Sequence, residues 1–332
     1  MRGFQYCLMN RKFLAVLTGA FSISAVPVYS QILFSDNFDA DHTANWTVNK
    51  SIGPADTTST AEFFFDYSTL GIPSAPNSGG STLGLRLRAN MSGNVFSGLS
   101  VSPTGQGFIG DYRLRFDMWL NYNGRLDGGG NGTTQFGGAG LGTKGNVSQW
   151  AGGAQDSVWF AGTVDGGAAA DYRAYSSAAP TSYASGNAVY NAPGGTINGS
   201  GAYYTAAFPS VSAPAAQLAL YPQQTNSTIA GSLGFAWRDV IIAKSGNTIT
   251  WTIDGLLIST IDATSLAFST NILLNYFDSN ATSSTDPNAP ALLFGLFDNV
   301  RVEVIPEPSA CVLALAGGAG LCWLRRRRNR KH

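Results

Sequence analysis

Apolar and polar residues alternate with a period of two along much of this chain. Leu83, Leu85 and Leu87 alternate with Gly84, Arg86 and Arg88, and Leu114, Phe116, Met118 and Leu120 with Arg113, Arg115, Asp117 and Trp119. Ile249, Trp251 and Ile253 alternate with Thr248, Thr250 and Thr252, and Val300, Val302 and Val304 with Asn299, Arg301 and Glu303. Successive side chains of a strand point to opposite faces, so each run predicts a strand with one face inward and one toward water. Asn123-Gly124, Ser245-Gly246-Asn247 and Asp254-Gly255 supply turns between such runs. No stretch between residues 31 and 303 has the apolar spacing of an amphipathic helix. The pattern therefore predicts an all-β chain, an antiparallel β-sandwich or jelly roll.

The segment from 121 to 232 has a different texture, with glycine pairs and triplets among Ala, Ser, Asn and Tyr. Ser157–Ala161 and Asp171–Tyr175 still read as strands inside it. The segment is expected to form sandwich strands joined by long Gly-rich loops.

Both ends break the pattern. Arg11 and Lys12 precede an apolar run from Phe13 to Val26, with Val28 and Ser30 placed as a cleavage site before Gln31. This order predicts a signal peptide over residues 1–30 and an exported mature chain. At the other end Pro306-Glu307-Pro308 leads to an apolar run from Ala310 to Leu324 and then to Arg325, Arg326, Arg327 and Arg328. As a helix the run would span about 22 Å, short of the roughly 30 Å hydrocarbon layer of a bilayer. The arginines would stay on the cytoplasmic side and leave the preceding region outside.

This tail resembles the PEP-CTERM sorting signal of exosortase substrates, with Pro306, Glu307 and Pro308 as the motif. The resemblance implies a membrane protease of the exosortase type as a partner and a transient stay in the inner membrane. Release to the cell surface or to an exopolysaccharide matrix, as in a biofilm, would follow. The organisation expected is then a signal peptide (1–30), a β-sandwich (31–303) and a sorting signal (304–332).

Charge sharpens this division. The whole chain is formally neutral, yet residues 31–306 hold 11 basic and 19 acidic residues, a net of −8. An acidic exported region without a basic stripe disfavours nucleic acid as a partner. Cys7, Cys311 and Cys322 all fall in the two ends, so the exported region has neither a disulfide nor a thiolate metal site.

Leu33-Phe34-Ser35-Asp36-Asn37-Phe38-Asp39 near the start and Leu296-Phe297-Asp298-Asn299-Val300-Arg301-Val302 near the end resemble the opening and closing strands of concanavalin A-like lectin/glucanase jelly rolls. That resemblance implies first and last strands lying side by side. It also implies one Ca²⁺ between them, with Asp36 and Asp298 at the matching positions.

The laminarinase type of that fold carries Glu-x-Asp-x-x-Glu on one strand. Here the exported region through Ile305 has only Glu62 and Glu303, and neither begins such a motif. His42 is its single histidine, expected on a surface loop, so histidine-based triads lack parts. The chain is therefore expected not to be an enzyme but a surface or matrix protein that binds polysaccharide. Trp150, Tyr172 and Tyr175, flanked by glycine or polar residues, are the candidate sugar-binding aromatics. A purely structural matrix or adhesion role, and a polysaccharide lyase or hydrolase, are the alternatives.

Overall fold

A computed structural model describes residues 30–305, except 92–95, 122–134, 165–167, 225–226 and 280–287. Fourteen strands are present among the described residues. They are β1 (Ile32–Asp36), β2 (Trp46–Lys50), β3 (Thr60–Asp66), β4 (Leu83–Arg88), β5 (Ser97–Pro103), β6 (Tyr112–Leu120), β7 (Gln135–Thr143), β8 (Val158–Thr163), β9 (Tyr172–Tyr175), β10 (Trp237–Ser245), β11 (Thr248–Ile253), β12 (Leu256–Asp262), β13 (Asn271–Asp278) and β14 (Gly295–Val304). Short helices α1 (Ala202–Thr205), α2 (Ala215–Leu220) and α3 (Ala289–Leu292) lie in the connections. No helix among the described residues is long and apolar enough to cross a membrane.

The strands form two antiparallel sheets. One runs β12-β11-β10-β6-β14-β4-β3, with β1 also paired to β14, and the other runs β2-β5-β13-β7-β8-β9. The β10–β11 and β11–β12 hairpins turn at the two sequences that predicted them. Asp254 (φ 49°) and Gly255 (φ 82°) both take the positive φ that a tight hairpin needs. β1 lies beside β14, with Asp36 opposite Val300, as the terminal sequences imply.

Between the sheets the predicted inward residues meet. Leu85, Leu87, Leu114, Phe116, Ile249, Trp251 and Val302 are all buried in one continuous core. Phe116 packs on Phe297 at 5.7 Å between ring centroids, and Phe160 stacks on Trp251 at 5.2 Å.

The outer faces depart from the simple alternation. Asp117 and Trp119, expected to face water, are 1% and 2% exposed. The connection from β3 to β4 lies over them: Trp237 Nε1 donates to the Pro73 carbonyl, and Asn77 donates to Asp117. The six-stranded sheet also carries a second apolar cluster, formed by Phe136, Trp159, Ala161, Tyr175, Leu273 and Phe277, with Trp150 packed against it.

The glycine-rich sequence of β7 is the central difference from expectation. It lies within the segment expected to hold strands and long Gly-rich loops, and the sequence pattern marks no strand at this place, yet it runs between β13 and β8. Its glycines serve close approach: a Cβ at Gly138 would lie 1.8 Å from the Phe160 carbonyl oxygen, and one at Gly140 would lie 2.3 Å from the Trp159 Cβ. Gly138→Ala is therefore expected to destabilise the fold by about 1–3 kcal/mol. Denaturant unfolding of the variant checks this, and an unchanged midpoint would contradict the packing of β7 against β8.

Candidate functional site

The β14 strand bulges between Asp298 and Arg301, where Asn299 takes φ 53°. Just before the bulge, Asp298 is fully buried and faces Asp117 across the β6–β14 pair. Asp298 Oδ1 accepts from the Asn299 N–H at 2.7 Å, and Oδ2 accepts from the Tyr67 hydroxyl at 3.1 Å. That hydroxyl also lies 3.0 Å from the Ser81 carbonyl, and the Ser81 hydroxyl donates to Asp39. Asp117 is held by the Asn77 backbone and amide and by the Asn299 amide. Burial pushes the Asp298 carboxyl up to about 7, and the nearby Asp117 and Asp39 charges push in the same direction against the two hydrogen bonds it accepts.

The oxygens around Asp298 are hard donors of the kind Ca²⁺ takes: the Asp298 and Asp39 carboxylates and the Ser81 carbonyl. A carboxyl driven toward its protonated form by burial first, and then by like charges, is one that a dication would return to its anion. Oxygen donors that could hold Ca²⁺ are thus present at Asp298, one of the two positions expected, while Asp36 is not among them. Among the described residues no three His, Cys, Asp or Glu side chains gather as a metal set, so carbonyl and amide oxygens would complete it.

Asp36 is engaged elsewhere. Its Oδ1 accepts from the Phe38 N–H and from His42 Nδ1, both at 2.9 Å, and its Oδ2 accepts from Trp46 Nε1 at 2.8 Å. Phe38 takes φ 53°, which breaks the alternation after β1, and the next residue, Asp39, is the one whose charge acts on Asp298. Period-two reading of the sequence could not show that turn.

Two of the three expected sugar-binding aromatics are interior, which corrects their reading as an open binding face. Tyr172 is 1% exposed, stacks on Tyr204 at 4.0 Å and donates to the Gly231 carbonyl. Tyr175 is 4% exposed and stacks on Trp159 at 3.9 Å. Strand spacing put both rings into packing. Trp150 alone stays half-buried, with its ring 4.6 Å from the exposed Phe96.

Trp150 sits on a loop pinned by amides. Gln149 Oε1 accepts from the Asp156 N–H and the Ser157 hydroxyl, the Gln155 amide donates to the Trp150 and Gly153 carbonyls, and Trp159 Nε1 donates to Gln155 Oε1. The far side of this loop borders a cleft of about 370 Å³. Phe268 forms its apolar wall, with Lys144, Gln155, Asp156, Ser177 and Ser269 around it. Phe268 is half-buried and packs over Gly142, and Asp156 Oδ1 is buried without a hydrogen-bond partner. The sequence offered no sign of this cleft, because β7, the 144–157 loop and the 263–270 turn meet only in the fold.

The sorting motif Pro306, Glu307 and Pro308, the basic cluster Arg325 to Arg328 and the signal segment 1–29 lie outside the described residues.

No family model matches the chain, and no curated protein matches it. Solved structures do. A family 16 glycoside hydrolase endo-glucanase from Bacteroides ovatus is 18% identical, with 82% of this chain and 100% of that chain covered and a TM-score of 0.43. An endo-1,3-β-glucanase from Streptomyces sioyaensis is 15% identical, with 86% and 100% covered and a TM-score of 0.45. A protein with a galectin-like fold from Bacillus subtilis is 8% identical, with 83% and 98% covered and a TM-score of 0.34.

The expectation that the chain is not an enzyme does not stand. The missing Glu-x-Asp-x-x-Glu motif excludes one arrangement of carboxylates, not hydrolysis as such.

A pH dependence follows from Asp298. Its carboxyl is raised from 3.8 to about 7 in the fold, so the folded chain keeps a proton that the unfolded chain loses first. The stability tied to it is full below about pH 4 and is lost as pH rises through about 7. In calcium-free buffer the denaturant midpoint should fall over that window, and Asp298→Asn, which carries no charge but can still accept from Tyr67, should flatten the fall. Parallel pH profiles for the two proteins would contradict it.

Proposed function

We propose that the sandwich domain recognises an extracellular polysaccharide and holds it at the Phe268 cleft. The observation that carries this reading is the cleft itself. A half-buried aromatic ring is bordered by two hydroxyls, an amide, an amine and a carboxylate with an unused oxygen. Sugars pack their C–H faces on such rings and exchange hydroxyl hydrogen bonds with such neighbours. Trp150 and Phe96, at the other side of the same loop, offer a second aromatic surface. Affinity electrophoresis or a glycan array tests the reading. Phe268→Ala should weaken polysaccharide binding about tenfold or more, and undiminished binding overturns it.

Cleavage of the bound polymer is the second reading, favoured by Asp156. A carboxylate with a buried, unpartnered oxygen at the border of a sugar-sized cleft can serve as a proton donor or acceptor to a glycosidic oxygen. Release of reducing ends from β-glucans, abolished in Asp156→Asn, is the outcome this reading expects; no release from any polymer that binds would sink it.

The proposal places this domain outside the cell, delivered by the leader and sorted through the 304–332 tail. Support comes from the order of motif, apolar run and arginines. Removal of residues 306–332 should shift the protein out of the surface fraction, and an unchanged distribution would refute the sorting role. Calcium at Asp298 and Asp39 belongs to the same proposal. Adding Ca²⁺ should raise the melting temperature of the wild-type chain and leave that of Asp298→Asn unmoved, because a ligand of the native state stabilises it.

A further inference from the structure

A second cleft, of about 340 Å³, opens where β1 pairs with β14, away from Phe268. His42, Arg301, Ser35, Asn37 and Asn299 line it together with Asp36. Three features of this cleft point to a ligand.

The first is the histidine. His42 Nδ1 lies 2.9 Å from Asp36 Oδ1, and Asp36 is 3% exposed at its side chain while His42 is 37% exposed. An ionised carboxylate only accepts, so Nδ1 must carry the hydrogen. That fixes the tautomer: in the neutral ring, Nε2 is an acceptor, and it is the nitrogen left for the cleft. Asp36 is itself held by the Phe38 N–H and the Trp46 indole, so the imidazole is oriented by a carboxylate that cannot easily turn.

The second feature is the arginine. Arg301 stands opposite Arg115 on β6 and opposite Ser35 on β1. The carboxylates that could neutralise it are taken: Asp239 binds Arg115 through two bonds of 2.7 and 3.0 Å, and Glu303 binds Arg113 through two of 2.8 and 2.6 Å. Among the described residues the Arg301 guanidinium has no hydrogen-bond or ion-pair partner. A guanidinium set beside a second cation, with its fork free, favours a planar anion.

The third feature is the border. Ser35, Asn37 and Asn299 bring hydroxyl and amide groups, and the cleft has no aromatic wall. Its volume is at the small end for a ligand site, enough for one sugar unit.

From this juxtaposition we propose that the cleft binds a single uronic acid unit, with the carboxylate on Arg301 and a ring hydroxyl donating to His42 Nε2. The polar border takes the remaining hydroxyls. The proposal leans on the polysaccharide reading only in treating the unit as part of a polymer; binding of the free monosaccharide stands apart from the Phe268 cleft.

Isothermal titration of the full chain with sodium glucuronate and sodium galacturonate, against glucose, galactose and sodium acetate, tests it. The uronates should bind about tenfold or more tightly than either the neutral sugars or acetate, because each control lacks one of the two recognised groups. Arg301→Gln should reduce uronate binding by about tenfold or more, and Arg301→Lys, which keeps the charge without the fork, should fall between. Melting curves confirm that each variant is folded.

Equal binding of acetate would reduce the site to a simple anion site and overturn the proposal. So would undiminished uronate binding in Arg301→Gln, or no uronate binding by the wild-type chain. Polymer binding in Phe268→Ala is a separate readout, so failure there removes the polysaccharide reading and leaves this one to its own titration.

Discussion

The bulge in β14 is the constraint on which the functional surfaces depend. Before it, Gly295–Phe297 pair with β4; after it, Val300–Glu303 pair with β1. One strand thus changes its neighbour on one edge while β6 holds the other edge on both sides of the bulge. The left-handed Asn299 makes room for the extra residue, so Asp298 and Arg301, which plain alternation would set on opposite faces, both stand in the row of Asp117 and Arg115. Asp298 is turned under the β3–β4 connection, toward Tyr67, and Arg301 is left beside Ser35 at the mouth of the His42 cleft.

Burial on both faces of the sheets is the second organising fact. A sandwich in water can leave its outer faces polar. Here the β3–β4 connection covers Asp117, Trp119 and Trp237 on one side, and the 144–157 loop packs Trp150 against an aromatic cluster on the other. Covering polar strand residues is tolerable only when they find partners. Asp117 does so by accepting from Asn77 and Asn299, and Gln149 and Gln155 do so within their loop. The open surface left for ligands is therefore at the ends and edges of the sandwich, and both clefts lie there.

This explains which parts of the molecule the sequence disclosed. Strands whose inward residues are large and whose outward residues are charged or Thr, such as β11 and the first half of β6, were legible because burial and period agree. The pairing of β1 with β14 was legible only through the resemblance of the two terminal sequences to concanavalin A-like jelly rolls. β7 was not, because Gly138 and Gly140 satisfy a demand for close approach between backbones that belongs to β8 and has no local signature. Tyr172 and Tyr175 misled for the converse reason: glycine and polar neighbours suggested exposure, while stacking on Tyr204 and Trp159 decided their burial. Asp39 was hidden by one positive φ at Phe38, and the role of Asp36 by a histidine six residues away.

The same facts decide how an acidic domain can offer a site for an anion. A net charge of −8 over residues 31–306 acts at long range, and at physiological salt such fields fade beyond about 8 Å. Within that distance the local inventory matters more. Asp36 is spread over three hydrogen bonds, Asp239 and Glu303 are each closed onto an arginine, and Asp298 is largely protonated below about pH 7 when no cation stands beside it. The acids near β14 are thus each engaged, and among the described residues on β14 and β6 the arginine side chain left without a partner is Arg301. Calcium at Asp298 would add positive charge on the same face of the sheet as Arg301, so the two sites would reinforce rather than oppose each other. The strand that joins the ends of the sandwich would then also join its two ionic sites.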